Sequence, residues 1–210
     1  KAKALCEAHN VLFIADEVQT GIARTGRLLA TCGNCSCEKK DCSGTPEVKP
    51  NILILGKALS GGVYPVSAVL ANDSIMNVIT PGSHGSTFGG NPIASAVAMA
   101  ALKAVKDEDL TENAYRLGNL FRASLNTYIE ASTIVKSVRG KGLLNAILIN
   151  DHEESDTAWN ICLKLRDNGL LAKPTHGNII RFAPPLVMSE AQLLDCIDII
   201  IKTLKDFERS

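Results

Sequence analysis

Residues 52–55, Ile-Leu-Ile-Leu, form an unbroken apolar run too short for a helix, and they pass directly into Gly56, Lys57 and a Ser60-Gly61-Gly62 turn. The run predicts a buried strand, so one lysine stands at the end of a core element. A lysine in that position can be a solvent anchor, its stem passing the sheet edge while the ammonium stays wet. Partly desolvated, the same amine loses its proton more readily and becomes a nucleophile toward a carbonyl.

A second run, Val11-Leu12-Phe13-Ile14-Ala15, decides between these readings. It is apolar throughout, as strands covered on both faces are, and it ends in Asp16-Glu17-Val18-Gln19-Thr20-Gly21. A carboxylate at the mouth of one buried strand and an amine at the mouth of another point to a single crevice beyond the carboxyl ends of a parallel sheet. The pair suits pyridoxal phosphate: the amine of Lys57 attaches the aldehyde, and Asp16 keeps the ring nitrogen protonated.

Four segments together carry a resemblance. They are residues 16–21 (Asp-Glu-Val-Gln-Thr-Gly), 56–62 (Gly-Lys-Ala-Leu-Ser-Gly-Gly), 84–92 (His-Gly-Ser-Thr-Phe-Gly-Gly-Asn-Pro) and 139–143 (Arg-Gly-Lys-Gly-Leu). In this order and spacing the chain resembles the class III pyridoxal phosphate aminotransferases over nearly its whole length, residues 31–46 excepted. Any one of the motifs is weak, and four in register are specific.

The resemblance implies an α/β fold. Residues 1–131 would be part of a PLP-transferase fold type I large domain with a mainly parallel sheet, and residues 132–210 a small C-terminal α+β domain. It implies pyridoxal 5'-phosphate as cofactor, with Asp16, Val18, Gln19, Lys57, Ser86 and Thr87 binding it, and Lys57 and Asp16 as the catalytic pair. It also implies a homodimer in which Thr87 reaches the phosphate held by the neighbouring subunit. The activity implied is transfer of the δ-amino group of L-ornithine to 2-oxoglutarate, with acetylornithine or 4-aminobutyrate as alternative donors. A mitochondrial location rests on the same resemblance. A phosphate loop, a stacking aromatic ring and a gating glutamate would precede Lys1, where the chain opens inside a helix without a methionine.

Lys plus Arg and Asp plus Glu both number 22, so no net field draws nucleic acid or an anionic membrane, and the expected partner is a small molecule. No apolar run approaches bilayer-spanning length.

Seven cysteines divide into two groups. Cys6, Cys162 and Cys196 lie on helical apolar stripes and read as buried thiols. Cys32, Cys35, Cys37 and Cys42 fall in a Gly-, Ser-, Lys- and Asp-rich stretch with C-x2-C and C-x-C spacing. Those thiolates can close on zinc, yet structural zinc sites present two well-separated pairs, so the stretch reads as an insertion with free thiols and no metal is assigned. A zinc-binding or interaction module in a truncated, inactive chain is the competing class.

Elsewhere, residues 65–71 predict a strand, 73–79 a short helix and 93–106 a small-residue helix opening after Pro92. The glycine-rich loop 84–92 could offer freed amides and the Ser86 and Thr87 hydroxyls to a phosphate, or be a tight structural turn. Asp109 to Glu112 has the form of a capping box ahead of a stripe at Leu117, Leu120, Phe121, Leu125 and Tyr128. Strands are expected at 134–138, 143–149, 170–173 and 179–182, helices at 156–167 and after a capping box at Ser189 to Gln192. Arg181 stands between Ile180 and Phe182 in an otherwise apolar strand and needs an anionic partner. A structural acid would satisfy it; by resemblance it forks onto the carboxylate of the substrate or of 2-oxoglutarate.

Overall fold

The computed structural model describes residues 1–32 and 48–209, and within them the chain forms two compact units, 1–111 and 112–210. Both are mixtures of helix and strand, a mixed α/β arrangement with its parallel pair in the first unit.

In the first unit α1 (Ala2–Ala8) is followed by β1 (Ile14–Asp16), a 3-10 turn (Ala30–Cys32), β2 (Ile52–Leu55), a second 3-10 turn (Lys57–Ser60), β3 (Ala68–Ala71), α2 (Asp73–Met76) and α3 (Pro92–Asp107). The sheet has the order β1-β2-β3, with β1 parallel to β2 and β3 antiparallel to it. Strand β1 is shorter than its apolar run, although the Phe13 carbonyl still accepts from Asn51 N–H at 2.9 Å. The sheet is not covered on both faces as the apolar runs suggest: Ala15 and Leu55 are buried, whereas Ile14 and Val69 are more than half exposed. Asn91 starts α3 by accepting from Ala94 N–H at 2.9 Å, and Pro92 follows at the first helical position.

The second unit holds most of α4 (Leu110–Ile129), then β4 (Val135–Lys141), β5 (Leu144–Ile149), α5 (Thr157–Asp167), β6 (Lys173–Thr175), β7 (Ile179–Phe182) and α6 (Glu190–Glu208). Its sheet is wholly antiparallel, in the order β4-β5-β7-β6. The compact units meet at 111/112, and the apolar stripe of α4 belongs to the second core. Leu117, Phe121 and Leu125 pack there with Ile147 and Ile180 of the sheet, Ile161 and Leu165 of α5, and Leu193, Ile197, Ile200 and Leu204 of α6. Phe121 and Phe182 meet with ring centroids 5.5 Å apart.

Three elements differ from the sequence expectation. The strand expected to end at 138 runs on through Lys141, because Gly140 at φ 156° lets Asn145 approach where a β-carbon would lie 2.3 Å from its Oδ1. The strand expected at 170–173 lies at Lys173–Thr175. Gly169 at φ 90° ends α5, and Leu170 N–H bonds back to Leu165 carbonyl, so the chain is free to pair only afterwards. Asp109 sits at φ 50°, outside the extended conformation that a capping-box residue takes. The box at Ser189 and Gln192 forms with both of its hydrogen bonds.

Candidate active site

The expected carboxylate and amine stand at the carboxyl ends of neighbouring parallel strands. Asp16 is in register with Ile54, and Glu17 N–H extends the ladder by donating to Ile54 carbonyl at 2.9 Å. Three residues past Ile54 the chain reaches Lys57, the first residue of its 3-10 turn. Lys57 takes φ 44°, a left-handed conformation costly for a residue with a β-carbon and concentrated at functional sites. Both Asp16 and Lys57 are exposed, so each is open to a ligand.

The turn after Asp16 is built to hold it. Asp16 Oδ1 accepts from Val18 N–H at 3.0 Å, which fixes one carboxylate oxygen and leaves the other open. Val18 lies over the Gly56 backbone, where an added β-carbon would be 3.4 Å from its Cγ1, so the turn rests against the chain leading into Lys57. Gln19 is exposed at the same turn.

Glu17, to which the sequence reading gave no role, is the structural centre of this region. It is 3% exposed, and its carboxylate accepts from the Ala30 amide, from Thr31 N–H at 2.9 Å and from Thr31 Oγ1–H at 2.8 Å. Gly21 closes over it, since a β-carbon there would be 3.1 Å from Glu17 Oε2. Its signal was the adjacency to Asp16: alternation along a strand puts one of two neighbouring carboxylates inside. Nearby, burial lowers the pKa of the Arg24 guanidinium, while Arg27 donates to Gly26 carbonyl at 3.0 Å within its loop.

Ser86 and Thr87 lie exposed in the loop before α3. Ser86 Oγ accepts from Gly89 N–H at 2.9 Å, and the Ala94 amide is taken by Asn91. Two of the loop's amides are thus used internally, which leaves the hydroxyls as its donors to a phosphate.

Arg181 falls in the second unit, on β7, half-buried. Among the described residues no carboxylate pairs with it. It also borders a cavity of about 350 Å³ lined by Phe121, Asn145, Leu170, Phe182 and Cys196 among others. Asn145, one of its lining residues, accepts at Oδ1 from Arg122 at 2.7 Å, and Arg122 also donates to Gly142 carbonyl at 3.2 Å.

Burial pushes Cys162 up to about 11 and raises Cys196 as well, Asp195 adding to the latter. Cys6 and Cys196 are only partly buried, against the sequence expectation, and Cys162 is buried as expected. Cys35, Cys37 and Cys42 lie outside the described residues. Among the described residues no cluster of His, Cys, Asp or Glu could hold a metal ion, and no helix is long and apolar enough to cross a membrane.

A carboxylate and an amine ending adjacent parallel strands mark a site for carbonyl chemistry on an amine. The family model for aminotransferase class-III matches residues 1–204, and the chain belongs to that family. Among its relatives is the mitochondrial ornithine aminotransferase of Drosophila melanogaster, 57% identical over 204 residues, which cover 97% of this chain and 43% of the relative. The rat mitochondrial ornithine aminotransferase is 53% identical over 98% of the chain and 43% of its own length. The chain thus spans less than half the length of these relatives. Of solved structures, an acetylornithine aminotransferase from Elizabethkingia anophelis superposes with TM-score 0.89 at 64% identity, covering 98% of this chain and 48% of that one. The ornithine delta-aminotransferase of Plasmodium falciparum does so with TM-score 0.89 at 46% identity, covering 100% and 50%. A Toxoplasma gondii ornithine aminotransferase, described with PLP at its active site, matches with TM-score 0.89 at 45% identity over 99% of this chain and 46% of its own. Pyridoxal phosphate is the cofactor that these relationships indicate.

Proposed function

We propose that this chain carries the amine- and carboxylate-bearing part of an aminotransferase that moves the δ-amino group of L-ornithine to 2-oxoglutarate, giving glutamate-5-semialdehyde and L-glutamate. One observation carries the reading: Asp16 and Lys57 end adjacent parallel strands, both exposed, with Val18 seated against the backbone between them. When bound, pyridoxal phosphate supplies an electron sink for charge developing on the amine-bearing carbon.

The chain's own groups would do the rest. Lys57 Nζ would hold the cofactor at its aldehyde carbon, the aldehyde oxygen leaving as water, and once freed its amine would move a proton at the substrate carbon. Asp16, with one oxygen held by Val18 N–H, keeps the ring nitrogen protonated. Gln19 bonds the ring's phenolic oxygen and Val18 packs on the ring face. Ser86 and Thr87 offer hydroxyls to phosphate, Thr87 to that of a partner subunit in a homodimer, and Arg181 takes a substrate carboxylate in a bidentate fork. A mitochondrial setting follows the names of the relatives.

Mixing the protein with pyridoxal phosphate tests the reading. Wild type should turn yellow and keep a reduced, covalently attached cofactor after borohydride, and Lys57→Ala should do neither. A colourless wild-type protein would sink it. A second reading, acetylornithine as donor, is favoured by the Elizabethkingia structure. Comparing semialdehyde formation from ornithine, acetylornithine and 4-aminobutyrate decides between them, ornithine being the expected best donor.

A further inference from the structure

Glu17 is bound at every polar group it has. Its N–H donates to Ile54 carbonyl at 2.9 Å, and its own carbonyl accepts from Gly21 N–H at 2.9 Å. One carboxylate oxygen accepts from Thr31 N–H at 2.9 Å and from Thr31 Oγ1–H at 2.8 Å, the other from the Ala30 amide. Asp16, one residue earlier, is exposed and among the described residues accepts only from Val18 N–H. The mooring of the peptide between these two acids therefore comes from Glu17.

The chain is bent out of its ordinary conformations to reach that carboxylate. Gly21 closes over it with no room for a side chain, since a β-carbon would lie 2.9 Å from Glu17 carbonyl oxygen. Ile22 at φ 53° and Ala23 at φ 69° follow, two buried residues in the left-handed region. Such strain persists only where the surroundings over-determine it, and it concentrates at ligand clamps. Burying a carboxylate is costly, and an apolar side chain would fill the same space. Every neighbour of this one is a donor, so both oxygens must accept, and an amide of the same length would turn an N–H toward one of them.

We propose that Glu17 is a positioning residue for Asp16: by tying the end of β1 to Ala30 and Thr31 it sets the distance and direction at which Asp16 meets the cofactor's ring nitrogen. The proposal rests on the reading of Asp16 given above and adds the group that keeps it in place.

Pyridoxal phosphate and an analogue with carbon in place of the ring nitrogen differ only where Asp16 would act. By equilibrium dialysis, wild type should bind pyridoxal phosphate about tenfold more tightly than the analogue, the effect of one charge-assisted hydrogen bond. Asp16→Asn should abolish that ratio. Glu17→Gln should cut it severalfold, and Thr31→Val, which removes only the hydroxyl donor, should cut it less. Glu17→Gln added to Asp16→Asn should change the ratio no further, since both act through one bond. Gly118→Ala, strained in the second unit, should leave the ratio unchanged, because lost stability alone weakens both cofactors alike. A Glu17→Gln or Thr31→Val variant that keeps the full ratio overturns the proposal. A wild type that does not distinguish the two cofactors, or an Asp16→Asn variant that still does, would instead overturn the reading of Asp16 on which it stands.

Discussion

Gly118 of α4 lies directly on the carbonyl of Gly142 at the β4–β5 hairpin tip: a β-carbon on Gly118 would sit 1.8 Å from that oxygen. Helix and hairpin meet backbone to backbone, with no side chain able to yield between them. Gly118→Ala should cost about 2–3 kcal/mol by forcing a backbone shift. Urea denaturation measures it, and an unchanged midpoint would show that the contact relaxes freely.

Glu17 gives the second expectation. Its buried carboxylate holds two backbone amides and one hydroxyl, so Glu17→Ala strands three donors and should cost about 3 kcal/mol. Glu17→Gln keeps an acceptor and should lose less. Equal losses in the two variants, compared by thermal melting, would mean that packing and not hydrogen bonding holds this loop.

Asp16 should behave oppositely. Exposed and making one local bond, it contributes little to the fold, and Asp16→Asn should melt like wild type. It should nevertheless lower turnover roughly 10²-fold or more, since the amide cannot hold charge beside a ring nitrogen. Steady-state kinetics and melting on the same preparation separate the two effects; a variant as active as wild type would remove Asp16 from the chemistry.

Glu208 sets the acid limb of stability. Desolvation works against its charge, but hydrogen bonds from Ser132 Oγ–H, the Ile134 amide, Tyr128 O–H and the Thr133 amide outweigh it and hold the carboxyl below its ordinary 4.5. A carboxyl lowered in the folded state stabilises above its unfolded pKa and loses that contribution as pH falls through the folded one. Wild type should therefore lose stability on acidification from about 4.5 downward, and Glu208→Gln should flatten that part of the profile in denaturation midpoints taken across acid pH.

Much of this was readable from residue order alone because the decisive features are local. An apolar run ending in a charge places Asp16 and Lys57 at strand mouths, and the stripe at Leu193, Ile197, Ile200 and Leu204 needs only a helical period. What escaped depends on contacts distant in sequence. Glu17 carries the same charge as its neighbour, and only the return of the chain at Ala30 and Thr31 shows which carboxylate is inside. The strand expected at 134–138 was ended too early because Gly140 reads as a breaker, whereas its role is to admit Asn145 to a continuing strand. The stripe of α4 was correct, but periodicity does not say which core it enters.

The register of β1 on β2 is fixed from within the strands and their flanks, through Glu17 to the 30–31 turn on one side and through Phe13 N–H to the Asn51 side chain, 2.9 Å, on the other. A slip of one residue in that register would turn Asp16 to the opposite face of the sheet, so these two flanking contacts guard the spacing between Asp16 and Lys57.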